Sequence, residues 1–184
     1  MEKTLKKIIK ILDAAPDIEA YAIIGGLAVG GWVTPRATKD IDILVELPKT
    51  DRTAIERGIL SNLIKSGFES VLKKGDPEDD IKFCIKAVSK EGVPVDIIFV
   101  SRKWEGEVVE DAFKIELMKG ISLPIVKPEG LIVLKLRAGS FQDIADISNI
   151  LVEADYDLQK LLALAKRARV DKKLLRLMKR LNLT

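Results

Sequence analysis

The pattern of apolar and polar positions divides the chain into a first part with strands and helices and a helical last part. Apolar residues at helical spacing over residues 3–14 predict an amphipathic helix that ends before Pro16. Short apolar segments predict strands over residues 21–24, 40–47, 68–73, 81–88, 93–100, 114–118 and 123–126. We therefore expect an α/β (α+β) fold in which helices flank a mixed β-sheet.

The other helices are predicted from spacing, capping residues and glycine positions. They cover residues 27–33, 51–66, 104–111, 128–138, 141–153, 157–169 and 171–181. Asp51, Asp157 and Asp171 stand where helix caps are expected. We accordingly expect an α/β core over residues 1–127 and a helical C-terminal region over residues 128–184 that packs on this core.

Composition excludes several classes of site. The chain contains no histidine, which excludes Ser/His and Cys/His triads and histidine-ligated zinc. Its single cysteine, Cys84, cannot form an internal disulfide, and this fits a reducing cytoplasm. The longest apolar run, over residues 21–33, is too short to span a bilayer. We expect a cytoplasmic protein without a membrane partner, whose chemistry depends on carboxylates, lysines, arginines, hydroxyls and backbone amides.

Three aspartates are the candidate metal ligands. Asp40 and Asp42 are separated by one residue in a predicted strand, so their side chains project from one face with α-carbons about 7 Å apart. Asp96 is the single charge in a very apolar strand, where a carboxylate needs a metal, a cation or a place at the end of the sheet. If the two strands are neighbours, the carboxylates meet and can hold two magnesium ions for phosphoryl transfer. A solvated strand face and an ion-paired structural aspartate are the alternatives.

A glycine pair, Gly25-Gly26, follows the first predicted strand. Glycines at the start of a helix let a phosphate approach the free backbone amides there. Close packing of the following helix is the alternative explanation. The glycines do not have the spacing of a dinucleotide fold, and the chain has no P-loop pattern.

Together these motifs resemble the DNA polymerase beta-type nucleotidyltransferase superfamily, and the resemblance covers about residues 20–150. The residues that carry it are Gly25-Gly26, then Arg36-x-Thr38-x-Asp40-Ile41-Asp42-Ile43, and later Asp96 in an apolar strand. The closer resemblance is to the abortive-infection (AbiEii-like) nucleotidyltransferases, many of which are toxins of toxin–antitoxin pairs. It rests on Lys127–Ala138, which is similar to their lysine-bearing helix, and on Gln142–Ile147, which is similar to the acidic motif after it.

The resemblance implies a nucleotidyltransferase fold and a role for each of these residues. Gly25 and Gly26 would hold the triphosphate of a nucleoside triphosphate. Asp40, Asp42 and Asp96 would bind Mg²⁺ (or Mn²⁺), and Asp96 would also help to deprotonate the acceptor hydroxyl.

Further residues are implied with open alternatives. Lys135 would contact phosphate, Arg137 would help to bind the nucleotide, and Asp146 or Asp143 would orient that lysine or the acceptor. Exposed helix charge is the alternative for Lys135 and Arg137, and a salt-bridged surface face is the alternative for the two aspartates. In the loop before Asp40, three residues could screen the triphosphate or be purely structural: Arg36, Thr38 and Lys39.

The C-terminal helices are strongly basic. Between Lys160 and Arg180, nine basic residues stand against one acid, Asp171. Such a face could bind the phosphates of RNA or tRNA, and a solvated helix face is the alternative.

The activity that we expect is metal-dependent transfer of a nucleoside monophosphate from a nucleoside triphosphate to a hydroxyl of RNA, protein or a small molecule. A toxin role and a cognate antitoxin partner follow from the resemblance alone. The alternative is a non-catalytic nucleotide- or partner-binding module with the same fold.

Overall fold

The computed structural model describes residues 1–48, 52–76, 81–118 and 120–183. Its helices and strands, in chain order, are α1 (Glu2–Asp13), β1 (Ala20–Ile24), α2 (Gly25–Val29), β2 (Ile41–Glu46), α3 (Arg52–Lys65), β3 (Glu69–Lys74), β4 (Phe83–Val88), β5 (Pro94–Phe99), α4 (Lys103–Glu110), β6 (Phe113–Met118), β7 (Ile121–Ile125), α5 (Pro128–Ala138), α6 (Phe141–Glu153), α7 (Leu158–Arg167) and α8 (Asp171–Arg180). None of the helices in the described part of the chain combines the length and apolarity needed to cross a membrane.

The strands of the described residues form one mixed sheet in the order β3-β4-β5-β2-β1-β7-β6. β2 runs parallel to β5 and antiparallel to β1, and β1 runs parallel to β7. β3, β4 and β5 form an antiparallel ladder. The expected α/β fold with a mixed sheet is therefore confirmed.

The two faces of the sheet differ because side chains alternate along each strand. On β2, Ile41, Ile43 and Val45 are fully buried on one face. Asp42 and Leu44 point to the other face, where Leu44 is also buried. The second face therefore holds both apolar cover and the candidate acidic residues.

Buried apolar residues form one cluster that extends from Leu5 in α1 to Met178 in α8. The C-terminal helices contribute Leu161 and Leu174, which are fully buried. These apolar residues recur at helical spacing, so each helix presents its basic face to solvent and its apolar stripe to the cluster.

Two details of the predicted helices were wrong. The helix after β1 begins at Gly25 and ends at Val29, instead of covering 27–33, and Gly30 and Gly31 explain the early end because glycine disfavours helix. Asp171 is the first residue of α8 and not its cap, which is Val170.

The prediction that Asp157 caps a helix is confirmed, since its Oδ1 accepts a hydrogen bond from the Lys160 amide at 3.0 Å. The predicted cap Asp51 lies outside the described residues.

Candidate active site

The two aspartate-bearing strands are neighbours. Asp42 on β2 and Asp96 on β5 are register partners in the parallel ladder, so their side chains leave the same face of the sheet. Asp40 comes directly before β2 and is exposed. The sequence placed Asp40 inside this strand, but the ladder starts at Ile41. All three carboxylates therefore belong to one region of the sheet.

The electrostatics of Asp42 report this proximity. The pKa of Asp42 is raised to about 6, first because burial disfavours its charged form and then because Asp40 and Asp96 add negative charge nearby. Lys86 and Lys135 act in the opposite direction. The site thus concentrates negative charge, which attracts a cation.

The glycine pair packs directly against side chains of the site. Gly25 has a φ of +66°, and a Cβ built there would lie 2.0 Å from Oδ2 of Asp42. A Cβ on Gly26 would lie 2.8 Å from Oγ1 of Thr38, which itself donates a 2.6 Å hydrogen bond to Asp40. Any larger residue at either position would collide with a side chain of the site. The alternative explanation of the glycines, close packing, is therefore correct in part, but they pack against site residues.

Lys135 is not an exposed helix charge, so that alternative is wrong. Its side chain is 9% exposed, and Nζ lies 3.0 Å from Oδ1 of Asp143 and 2.7 Å from Oδ2 of Asp146. Asp146 is only 1% exposed, which also excludes a surface salt bridge for that residue. The i, i+3 spacing of the two aspartates on α6 brings both to one lysine.

Asp146 also binds the loop before Asp40. Nε and Nη2 of Arg36 donate to its two oxygens at 2.7 and 2.8 Å, and Nε2 of Gln142 donates at 3.0 Å. Burial alone would raise the pKa of Asp146, but the hydrogen bonds from Arg36, Lys135 and Gln142 outweigh it and hold that pKa well below its usual range. Arg36 thereby connects the loop before Asp40 to α6.

Asp143 has a second task at the start of α6. Its Oδ2 accepts hydrogen bonds from the backbone N–H and the hydroxyl of Ser140, and the Ser140 hydroxyl accepts one from the Asp143 amide. This capping box fixes the carboxylate against Lys135. Burial opposes ionisation, yet the bonds from Ser140 and Lys135 lower the pKa of Asp143.

Lys86 is a site residue that the sequence reasoning missed. It lies on β4 opposite Asp96, and its ammonium forms an ion pair with Oδ2 of Asp96. A signal was available in the sequence. If the chain is folded back about the predicted turn at Lys90–Gly92, Lys86 comes to lie across from Asp96. Gln142, which holds Asp146, was also missed.

The carboxylates are ligands of the kind that suits a hard divalent cation, because Mg²⁺ and Mn²⁺ prefer oxygen ligands. Among the described residues, however, no three acidic side chains form a ready-made metal site. Asp96 is engaged by Lys86, and Asp40 accepts a hydrogen bond from Thr38. The ligand set is thus present, with two of its members bound to other partners.

A cavity of about 250 Å³ opens beside Asp42, between the sheet and helices α4 and α5. Its wall is mainly apolar and includes Leu44, Ile98, Trp104, Leu131 and Leu134. Its charged lining includes Asp42, Lys135, Asp143 and Arg137. A space large enough for a small ligand therefore adjoins the acidic residues.

The remaining predicted residues lie around this centre. Arg137 lines the cavity and donates from Nη1 to the carbonyl of Ala168 at 3.1 Å. Lys39 is exposed in the loop next to Asp40. The predicted roles of both residues stay predictions.

No protein-family model and no curated protein sequence matches the chain. Among solved structures, it is similar to the lincosamide antibiotic adenylyltransferase LnuA in its lincomycin-bound form, with a TM-score of 0.53 and 16% identity over 84% of this chain and 98% of that chain. It is also similar to ANT(2'')-Ia in complex with adenylyl-2''-tobramycin, with a TM-score of 0.53 and 15% identity over 94% of this chain and 97% of that chain.

At these identities the similarity concerns the fold. The closer resemblance to the abortive-infection (AbiEii-like) proteins stays a prediction. The neighbours are nucleotidyltransferases, and the mixed seven-stranded sheet of the described residues agrees with them. The chain therefore has the nucleotidyltransferase fold.

Proposed function

We propose that this protein transfers a nucleoside monophosphate from a nucleoside triphosphate to a hydroxyl acceptor, with Mg²⁺ or Mn²⁺ as cofactor. The observation that carries the proposal is the register pairing of Asp42 with Asp96 beside Gly25 and an open cavity. Lys86 forms an ion pair with Asp96, but burial and the charges of Asp40 and Asp96 still disfavour the ionised form of Asp42, which a bound cation would stabilise.

The metal ligands in this proposal are Asp40, Asp42 and Asp96. When bound, the cation neutralises charge on the triphosphate and favours ionisation of the acceptor hydroxyl. Asp96 accepts the proton of that hydroxyl. The acceptor oxygen then forms a bond to the α-phosphorus, the bond between that phosphorus and the bridging oxygen breaks, and pyrophosphate leaves.

Other residues hold the triphosphate. We assign Gly25 and Gly26 to the triphosphate, because glycines at the turn from β1 into α2 let a phosphate approach the backbone. Lys135 contacts phosphate with its ammonium, oriented by Asp143 and Asp146 at 3.0 and 2.7 Å.

The loop and the cavity wall complete the proposed site. Arg36 is engaged by Asp146, so we assign it the positioning of the loop in addition to screening the triphosphate. Thr38 and Lys39 lie in the same loop next to Asp40, and Arg137 faces the cavity. These contacts with the nucleotide are proposals.

A compact acceptor is the first candidate. The apolar cavity of about 250 Å³ suits a nucleoside or a small hydroxyl compound. LnuA and ANT(2'')-Ia, which share the fold, are described with an antibiotic and with an adenylylated antibiotic. A small-molecule hydroxyl is therefore the acceptor that we propose to test first.

RNA is the second candidate, and the observation that favours it is the position of the basic helices. Nζ of Lys173 lies 3.3 Å from the carbonyl of Leu136, next to Lys135 on α5. Exposed cations continue from this point along α8, at Lys172, Arg176, Lys179 and Arg180. A polyanionic acceptor lying on this helix would approach the helix that carries Lys135. The toxin role and the antitoxin partner rest on the resemblance alone.

The test is transfer of label from each α-labelled nucleoside triphosphate to three acceptor pools: small hydroxyl compounds, RNA and protein. Asp42→Asn and Asp96→Asn are compared with Asp155→Asn, which changes an exposed acid in the loop between α6 and α7. We expect label transfer by the native protein and by Asp155→Asn only. Nucleotide binding without transfer to any pool would favour the non-catalytic binding module.

A further inference from the structure

Lys86 is built into the acidic site by the sheet itself. β4 and β5 are antiparallel, and Lys86 stands directly opposite Asp96 in their ladder. Directly opposed side chains on one face of a sheet lie close enough to interact, so the contact between the two charges follows from backbone pairing. No rearrangement of the chain is needed to make this ion pair.

The two lysines near Asp42 are held differently. Lys135 is buried and bound by Asp143 and Asp146, two carboxylates outside the candidate metal ligands. Lys86 instead binds a candidate metal ligand directly, and its side chain is 46% exposed. Its ammonium thus lies where a divalent cation would interact most favourably with the Asp96 carboxylate.

The chemistry of lysine suits a partner that can be displaced. Its ammonium is a compact, strongly hydrated charge on a flexible stem, whereas arginine would bind a carboxylate through two parallel bonds. Since Lys86 lies at the solvent-exposed part of the sheet, its ammonium can exchange Asp96 for water. Val71, its register partner on β3, is exposed as well, so space for this movement is open.

We propose that Lys86 is a displaceable counter-ion that holds Asp96 until a divalent cation binds, and that it leaves Asp96 when the cation arrives. The proposal rests on the proposed function in taking Asp96 as a metal ligand. In the empty site Lys86 offsets repulsion among the carboxylates. It also weakens binding of a free cation, so that the site favours a cation that arrives with the nucleoside triphosphate.

The test is calorimetric titration of Mn²⁺ into the nucleotide-free protein. Lys86→Met removes the charge and keeps the length of the side chain, and we expect about tenfold tighter Mn²⁺ binding than in the native protein, because a competing unit charge is lost. Lys73→Met is the matched control: Lys73 is exposed on the same face, opposite Cys84, and the same loss of charge there should leave the affinity within about twofold.

Two further variants make the test specific. Lys86→Arg keeps the charge and binds carboxylate more firmly, so it should bind Mn²⁺ no more tightly than the native protein. Lys86→Met with Asp96→Asn should lose the gain. Unchanged or weaker Mn²⁺ binding in Lys86→Met would overturn the proposal. Because no turnover is measured, failure of label transfer would count against the proposed function and leave this result standing.

Discussion

Arg36 binds both carboxylate oxygens of Asp146, at 2.7 and 2.8 Å, although 109 residues lie between them in the chain (|i−j| = 110). The pair joins the loop before Asp40 to helix α6, and Lys135 completes it from α5. A planar guanidinium that contacts two oxygens fixes direction as well as distance. Helices α5 and α6 thus orient the loop before Asp40.

Replacing Arg36 should therefore reduce stability. We expect Arg36→Ala to lower the free energy of unfolding by about 1–3 kcal/mol, since the buried Asp146 loses two of its donors. Arg36→Lys should lose less, because one charged donor remains. Urea unfolding measures both, with Arg176→Ala on the exposed side of α8 as the control. Equal loss in Arg36→Ala and the control would contradict the assigned role.

Gly25 allows a test that separates backbone strain from loss of the site. Gly25→Ala should reduce activity strongly and cost more than about 1–2 kcal/mol of stability, because its φ is positive and its Cβ would also collide with Asp42. Gly92→Ala has a similar φ of +75° and meets nothing within 4 Å. We expect this control to lose only the stability that the positive φ costs, about 1–2 kcal/mol, and to keep full activity. Loss of activity in both variants would attribute the effect to general destabilisation.

The pKa of Asp42 predicts a pH dependence for the metal-free protein. Its pKa of about 6 in the folded state lies above the ordinary aspartate value of 3.8, so stability falls as pH rises from about 4 to about 6. Asp42→Asn removes this effect. At pH 7.5 we expect the variant to be more stable than the native protein by about 1–3 kcal/mol, and at pH 3.5 the two should be equal. Chemical unfolding across this range checks it, and a difference that does not depend on pH would refute it.

Lys135 should matter for the nucleotide and for the fold. Lys135→Met leaves Asp143 and Asp146 short of one cation, and we expect about a hundredfold lower kcat/KM for the nucleoside triphosphate if the ammonium contacts phosphate in the transition state. Lys166→Met, an exposed change on α7, is the control. Steady-state kinetics with both variants, after far-UV circular dichroism has shown them folded, decide the point. Native kinetics in Lys135→Met would remove it from the site.

The fold and the centre of the site could be predicted because they depend on local patterns. Apolar alternation set the strands, and a single charge in an apolar strand identified Asp96. The predicted metal site required the strand of Asp96 to lie beside the strand of Asp42, and the parallel pairing of β2 with β5 confirms this. The spacing of Asp143 and Asp146 likewise indicated a shared helical face.

What the sequence did not reveal depends on contacts between distant segments. The contact of Lys86 with Asp96 needs the register of β4 against β5, which the predicted turn at Lys90–Gly92 indicates but charge and hydropathy alone do not set. The pairing of Arg36 with Asp146 needs the docking of α6 on the loop, and no local pattern reports that. The predicted helix over residues 27–33 was wrong because Gly30 and Gly31 end α2 at Val29, although the apolar spacing continues. The cavity beside Asp42 comes from packing of α4 and α5 on the sheet.

The central claim is that Asp42 and Asp96 act together on a metal-bound nucleotide. The most direct test is the rate of pyrophosphate release with nucleoside triphosphate, Mg²⁺ and an acceptor in the native protein, Asp42→Asn, Asp96→Asn and Asp155→Asn. We expect both site variants to be slower by about a thousandfold or more, as for loss of a metal ligand, and Asp155→Asn to be unchanged. Pyrophosphate release at the native rate by Asp42→Asn or Asp96→Asn would contradict the account.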